Sequence, residues 1–235
     1  MIKAIFFDLG NTLADMRILQ KKTKIRIDMK LLDPLGIRAT EAEIIKAVKK
    51  ADEFIETNYK ENPIKHRRGF FFKVMCRMLG KNISQKIAKE KDMIFWEFVM
   101  KKVKLVPNAK EILTYIKNKG MSIVLISNGE VYGVNQILNK LNIRKYLDLI
   151  VISEEVGSEK CTSIPIQFAL TKLGLKPNEV IMIGDRIDQD ILGAKKLGIK
   201  NVKFNFGSHK DLNYSGQEIK PDFEIHNLLQ VKKIL

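Results

Sequence analysis

Three apolar runs of this chain end in residues able to do chemistry. The first ends in Phe7-Asp8-Leu9-Gly10-Asn11-Thr12, the second in Ile126-Ser127-Asn128-Gly129, and the third in Ile183-Gly184-Asp185-Arg186-Ile187-Asp188-Gln189-Asp190. An Asp that follows a strand is more often a turn or cap residue than a catalyst. Three polar endings on one sheet are another matter, because ligands of open α/β sheets bind outside the carboxyl ends of the strands. Asp8 and Asp185 facing each other in such a crevice repel unless a cation lies between them. Oxygen donors without His or Cys favour a hard cation. Magnesium, which keeps several waters and shares its shell with substrate phosphate, is the natural choice. Gly10 lets the backbone turn sharply and leaves its carbonyl unobstructed. Ser127 can donate a hydroxyl, and the amides that open the next helix can bind phosphate oxygens.

These loops need a sheet to hold them. Five short apolar runs read as strands buried on both faces: Ala4–Phe7, Ser122–Ile126, Leu149–Ile152, Val180–Ile183 and Asn201–Phe204. Helical periods lie between them, from Pro107 to Gly120 and over about 131–141, 164–173 and 189–197. Strands alternating with helices of this length give right-handed βαβ units and an α/β, doubly wound parallel sheet.

Residues 15–104 break that rhythm and contain no convincing strand. Thr40 caps a helix with Glu41 and Glu43 in its first turn, and Ile44, Ile45, Val48, Ala51, Phe54 and Ile55 form its apolar side. A second helix turns Phe71, Val74, Met75, Met78 and Leu79 inward and stops at Gly80. A third, from near Ser84, does so with Ile87, Ile94, Phe95, Phe98 and Val99, and 16–32 can form another. Ninety residues are too many for a loop, so this is an inserted all-helical domain (15–104) within a core of 1–14 and 105–235. Beyond the fifth strand, Ser208–Gly216 reads as a polar turn and the apolar residues near the end as closing the core.

The net charge is +15, and the insertion concentrates it, with 23 Lys/Arg against 12 Asp/Glu between Asp15 and Lys104. Such a surface attracts anionic partners or is simply a well-solvated helical face. Basic residues are not interleaved with aromatics, and no nucleic-acid motif is present, so a small anionic substrate is expected rather than nucleic acid. No apolar run is long enough to span a membrane, and the N-terminus lacks a signal-peptide cleavage site. The expected compartment is the cytoplasm. Cys76 and Cys161 have no metal-type spacing, and neither do His66, His209 and His226.

Taken in order, the motifs resemble those of the haloacid dehalogenase-like superfamily. Asp8–Thr12 is similar to its motif I, Ser127-Asn128 to motif II, Lys160 to motif III, and Gly184-Asp185 through Asp190 to motif IV. Val156-Gly-Ser-Glu-Lys160, Gly193-Ala-Lys-Lys-Leu-Gly198 and Lys220-Pro-Asp222 also fit the family's linking segments. The resemblance covers nearly the whole core; in the insertion, only position and helical character match. It implies a Rossmann-like sheet of order 5-4-1-2-3 with a helical cap of C1 type inserted after motif I. It implies that Asp8 attacks phosphorus to form an aspartyl-phosphate that water hydrolyses. It further implies that Asp8, the Gly10 carbonyl and Asp185 hold magnesium, with Asp190 a further ligand or a partner of the ligands. Ser127, Asn128 and Lys160 would bind the phosphoryl group, and Ser127 and Lys160 would neutralise it during transfer.

Gly10 departs from the family pattern. Most family phosphatases carry a second Asp there as general acid and base, and glycine can do neither. Loss of such a group costs about two to four orders of magnitude in rate. The family's dehalogenases also lack that Asp, since a halide leaves without a proton, but they lack the metal site that Asp185 and Asp190 retain here. A phosphatase acting on a good leaving group, or helped by Asp15, Glu130 or His66, is therefore preferred. Next comes a catalytically weak scaffold that binds phosphate ligands or a protein partner. Cys161 stands where the family often has proline, either as a small buried filler or as a thiol made acidic by Lys160.

Overall fold

The computed structural model describes residues 1–19, 21–206 and 219–235. The chain divides into two compact units, Met1–Arg17 with Val103–Leu235, and Ile18–Lys102. β1 (Ala4–Phe7) is wholly buried and is followed by the two-residue β2 (Ala14–Asp15). The second unit holds α1 (Lys21–Leu32), α2 (Glu41–Asn58), α3 (Arg68–Met78) and α4 (Gln85–Lys102). After it, β3 (Lys104–Leu105) pairs antiparallel with β2. Next come α5 (Ala109–Asn118), β4 (Ser122–Ser127), α6 (Val131–Leu141) and β5 (Leu149–Ile152). The chain continues through the single turn α7 (Ser153–Val156), α8 (Ile164–Leu173) and β6 (Val180–Gly184). It goes on through α9 (Leu192–Lys196), β7 (Lys200–Phe204) and β8 (Phe223–Ile225) and ends in a 3-10 helix, Leu228–Lys233, that buries Leu228 and Val231.

The main sheet has the order β5-β4-β1-β6-β7-β8 and every pairing in it is parallel. The chain moves outward from β1 through β4 to β5, then returns to the other side of β1 for β6 and β7. The strand order therefore reverses beside β1, and the crevice outside the ends of β1, β4 and β6 is a topological switch point. Both faces of the sheet are covered. Phe6, Val124, Ile126, Val151 and Met182 pack with Ile166, Ala169 and Leu170 of α8 in a core closed to solvent. This explains why the strands read as continuous apolar runs.

Two features differ from the sequence expectation. The stretch read as strandless is entered and left by the β2–β3 ribbon, which is too short to leave a period-two pattern. The sixth strand, β8, carries only one buried residue, Ile225, so its edge position hides it among charged neighbours. The turn expected at Ser208–Gly216 lies outside the described residues, as does His209.

In the helical unit, Thr40 forms the expected capping box with Glu43 and fixes the start of α2. Its buried face is Ile44, Ala47, Ala51 and Ile55, while Ile45 lies exposed. Likewise Phe72, not Phe71, is among the buried residues of α3, and Ile94 of α4 is exposed beside buried Phe95 and Val99. The apolar stripes in the sequence are wider than the faces the unit can cover. Within it Arg68 pairs with the buried Asp28 and stacks over Phe71 and Phe95, with centroid distances of 4.4 and 4.7 Å. No helix among the described residues is long and apolar enough to cross a membrane.

Candidate active site

Asp8 stands one residue beyond the last pair of β1, and its N–H donates to the Ile183 carbonyl of β6 at 2.9 Å. That register brings Asp8 beside Gly184 and the Asp185 that follows it. The loop then closes in a π-helical turn, Ile187–Ile191, in which the Asp190 and Ile191 N–H groups both donate to the Arg186 carbonyl (2.9 and 3.3 Å). Such turns are short, and they recur at functional sites. This one brings Asp190 back against the strand end, where its Oδ2 accepts from the Arg186 N–H at 3.0 Å. Asp188 takes another course and binds Arg186 Nε at 2.9 Å.

Lys160 opens a one-turn 3-10 helix, Lys160–Thr162, and is 2% exposed. Its ammonium lies 2.5 Å from Asp8 Oδ1 and 2.5 Å from Asp190 Oδ1. Two loops clamp the backbone of this turn. The Lys160 N–H donates to Asn128 Oδ1 (3.0 Å), and Asn128 Nδ2 donates to Gln189 Oε1 (2.7 Å), which also accepts from the Cys161 N–H (3.3 Å). Glycine allows two approaches here that no other residue would. A Cβ on Gly184 would lie 2.2 Å from Asp190 Cγ, and one on Gly193 would lie 2.1 Å from the Lys160 carbonyl oxygen.

Asp8, Asp185 and Asp190 are all buried, and each offers one oxygen within 4.8 Å of the others, a group that could hold a metal ion. When ionised, three carboxylates with one ammonium leave two negative charges, which a divalent cation would balance. Burial pushes Asp185 up to about 8, and the neighbouring charges of Asp8 and Asp190 add to the shift, against Lys160 and the Asn11 amide at 3.3 Å. Burial also raises Asp190, opposed by Lys160. Burial alone would lower Lys160, but Asp190 and Asp8 hold it charged and above its ordinary value. Asp8 Oδ2 is buried without a hydrogen-bond partner, as is the Thr12 hydroxyl on the same loop. An orphaned oxygen inside an unrelieved acidic cluster fits the donor set of a hard cation.

The family model described as "Haloacid dehalogenase-like hydrolase" matches residues 27–204. The chain belongs to that family. It is 26% identical over 227 residues to a glyceraldehyde 3-phosphate phosphatase of Methanopyrus kandleri, covering 96% of this chain and 93% of the relative. It is 25% identical over 201 residues to the N-acylneuraminate-9-phosphatase of Homo sapiens, covering 85% and 80%. The 2-haloacid dehalogenase structure from Pseudomonas syringae superposes with a TM-score of 0.73 at 22% identity, over 100% of this chain and 98% of that one. That last likeness concerns the fold.

In this haloacid dehalogenase-like hydrolase, Asp8, Lys160, Asp185 and Asp190 come together, and Ser127 leaves the same sheet edge at the end of β4, 5% exposed. Both ends of the Asn128 side-chain amide are engaged in the clamp, which leaves its second Nδ2 N–H and its backbone for any contact with a ligand. The left-handed turn after β1 is made by Asn11 (φ 56°), and Gly10 lies outside that region. Asn11 and Gln189 had no signal beyond their place in a motif; their roles depend on contacts across 174 and 61 residues. Of the suggested acid–base substitutes, Asp15 is paired with Arg17 at 2.7 Å, whose hydrogen bonds hold its carboxyl below the ordinary range. His66 belongs to the helical unit, and Glu130 is buried at the start of α6. Cys161 is a buried thiol outside any disulfide.

The glycine contacts give a direct test. Gly184→Ala must displace Asp190 from its present position, and overpacking of this kind costs about 1–3 kcal/mol. A folded protein with a lower Tm and at least about a hundredfold lower kcat is expected, from thermal unfolding and steady-state rates. Wild-type kinetics in this variant would mean that Asp190 need not be held where it is.

Proposed function

We propose that this protein is a magnesium-dependent phosphatase of small phosphate esters and that Asp8 is its nucleophile. The observation that carries the reading is the state of Asp8. Lys160 holds one of its oxygens, the other has no hydrogen-bond partner, and two further carboxylates lie beside it. The phosphatase names of the relatives point to the same reaction type. Asp8, Asp185 and the Gly10 carbonyl would hold the ion, with Asp190 as a further ligand or as the partner that keeps Lys160 charged. Magnesium bound there supplies positive charge for the phosphoryl oxygens.

An Asp8 carboxylate oxygen attacks phosphorus, the bond from phosphorus to the substrate oxygen breaks, and the departing alkoxide takes a proton from water, leaving a hydroxide. A second water then adds to phosphorus, and the proton it gives up neutralises that hydroxide. The acyl-phosphate P–O bond breaks, restoring the Asp8 carboxylate and releasing inorganic phosphate. Lys160 and the Ser127 hydroxyl neutralise and orient the transferring group throughout, which is where most of the acceleration of such reactions originates. The two relatives act on a triose phosphate and a phosphorylated sugar acid by name. Small polyol phosphates are accordingly the substrates to try first.

The test is phosphate release from glyceraldehyde 3-phosphate, N-acylneuraminate 9-phosphate and p-nitrophenyl phosphate. Turnover with magnesium, none in EDTA, and recovery on adding magnesium back are expected. Silence across the panel would favour a scaffold that binds without turnover.

A second expected result follows from Asp185. In the metal-free protein its raised pKa keeps it largely protonated at pH 7. Binding a cation requires the carboxylate, so magnesium should displace up to about one proton and bind more tightly as pH rises toward 8. Folding without metal is opposed above the carboxyl's unfolded pKa, and this cost levels off above about 8. The EDTA-treated protein should therefore lose Tm between pH 6 and 8.5 while the magnesium-induced rise in Tm grows. Calorimetry in buffers of different ionisation enthalpy reads the proton directly; heats independent of buffer would count against Asp185 as a ligand.

A further inference from the structure

The helical unit has a cavity of its own, about 330 Å³, formed by the segment before α2, one face of α2 and the end of α3. Arg38, Lys46, Lys50 and Lys81 line it, over a floor that includes Met78. Such a volume lies at the lower end of small-molecule sites.

The pairing of charges around this cavity is uneven. On adjacent parts of α2, Lys49 pairs with Glu53 (3.8 Å), and Glu56 pairs with Lys65 (3.5 Å). The four cations of the cavity have no carboxylate partner among the described residues. Glu43, the acid at the cavity wall, is turned to Thr40, whose N–H and hydroxyl donate to its Oε2 at 2.7 and 2.8 Å. Lys46 and Lys50 are four residues apart on one helix face, a like-charge spacing that opposes the helix when nothing lies between. A polyanion seated among the four would convert that repulsion into attraction.

We propose that this cavity is a binding site for a small polyphosphate, of the nucleoside diphosphate type, separate from the Asp8 site and independent of the reaction assigned to it. Four cations contributed by three segments offer contacts to more than one phosphate group, and the apolar floor suits a ring or chain attached to the phosphates. The cations are exposed on a cavity rather than strung along a groove, so a compact ligand is favoured over a nucleic-acid strand.

The test is calorimetry and thermal unfolding of the full chain in EDTA, with ADP, pyrophosphate, orthophosphate and a 20-nucleotide single strand as probes. ADP and pyrophosphate should bind more tightly than orthophosphate and raise Tm. Lys46→Ala/Lys50→Ala should weaken both at least tenfold while leaving the ligand-free Tm unchanged or higher, since it removes a repulsive pair and alanine favours helix. Asp8→Asn should leave both affinities unchanged. Equal binding by the double variant, loss of binding in Asp8→Asn, no preference over orthophosphate, or binding of the oligonucleotide alone would each overturn the proposal.

Discussion

Asp8→Asn is expected to lower phosphatase kcat by about four to six orders of magnitude while the protein stays folded, which is the scale on which removing a covalent nucleophile acts. The side chain keeps its shape, so the strand end is not disturbed. Lys160 retains Asp190 at 2.5 Å and is not left as a buried, unpaired charge. Removing one of three clustered carboxylates also relieves repulsion on Asp185, whose raised pKa owes part of its shift to Asp8. The metal-free variant should then be at least as stable as wild type, and its Tm should rise less on adding magnesium because one ligand is lost. This pairing separates chemistry from folding: a catalytic loss with a fallen ligand-free Tm would mean disruption, not loss of the nucleophile. Residual turnover above about one part in a hundred would place the attacking group elsewhere.

What could be read from the chain follows the range of the forces involved. β1, β5, α6 and α8 have the bounds that their apolar periods suggest, because burial on both faces or on one stripe is written into neighbouring residues. Thr40 with Glu43 was legible for the same reason, being a contact across three residues. The ends of β1, β4 and β6 could be placed in one crevice by topology alone, given that strands and helices alternate. Lys160 could not. A lysine in a polar segment is ordinarily solvated, and only the carboxylates from two distant loops make its burial affordable. The Asn128–Gln189 clamp and the Asn11 contact to Asp185 are long-range in the same sense. In the helical unit, the stripe through Ile44 and Ile45 marks a helix but not which of the two is covered. That choice depends on how α3 packs against α2, and Ile45 is the one left exposed.

Gly10→Asp should raise kcat on alkyl phosphates by about two to four orders of magnitude, the range that a positioned acid–base group contributes. The position can take a side chain. Its backbone is outside the left-handed region, and a Cβ there would meet Met16 Cγ at 3.7 Å, an ordinary contact. Asp15 is held ionised by Arg17 and is a poor proton donor, and glycine has nothing to donate. The gain should depend on the leaving group. An alkoxide needs its proton as the P–O bond breaks, whereas p-nitrophenolate does not, so p-nitrophenyl phosphate should respond far less. The pH–rate profile on alkyl esters should also acquire a limb from the new carboxyl. An equal response of both esters would point to altered binding rather than proton transfer. No response from either would mean that another group already handles the proton, with buried Glu130 at the start of α6 the first to replace by Gln.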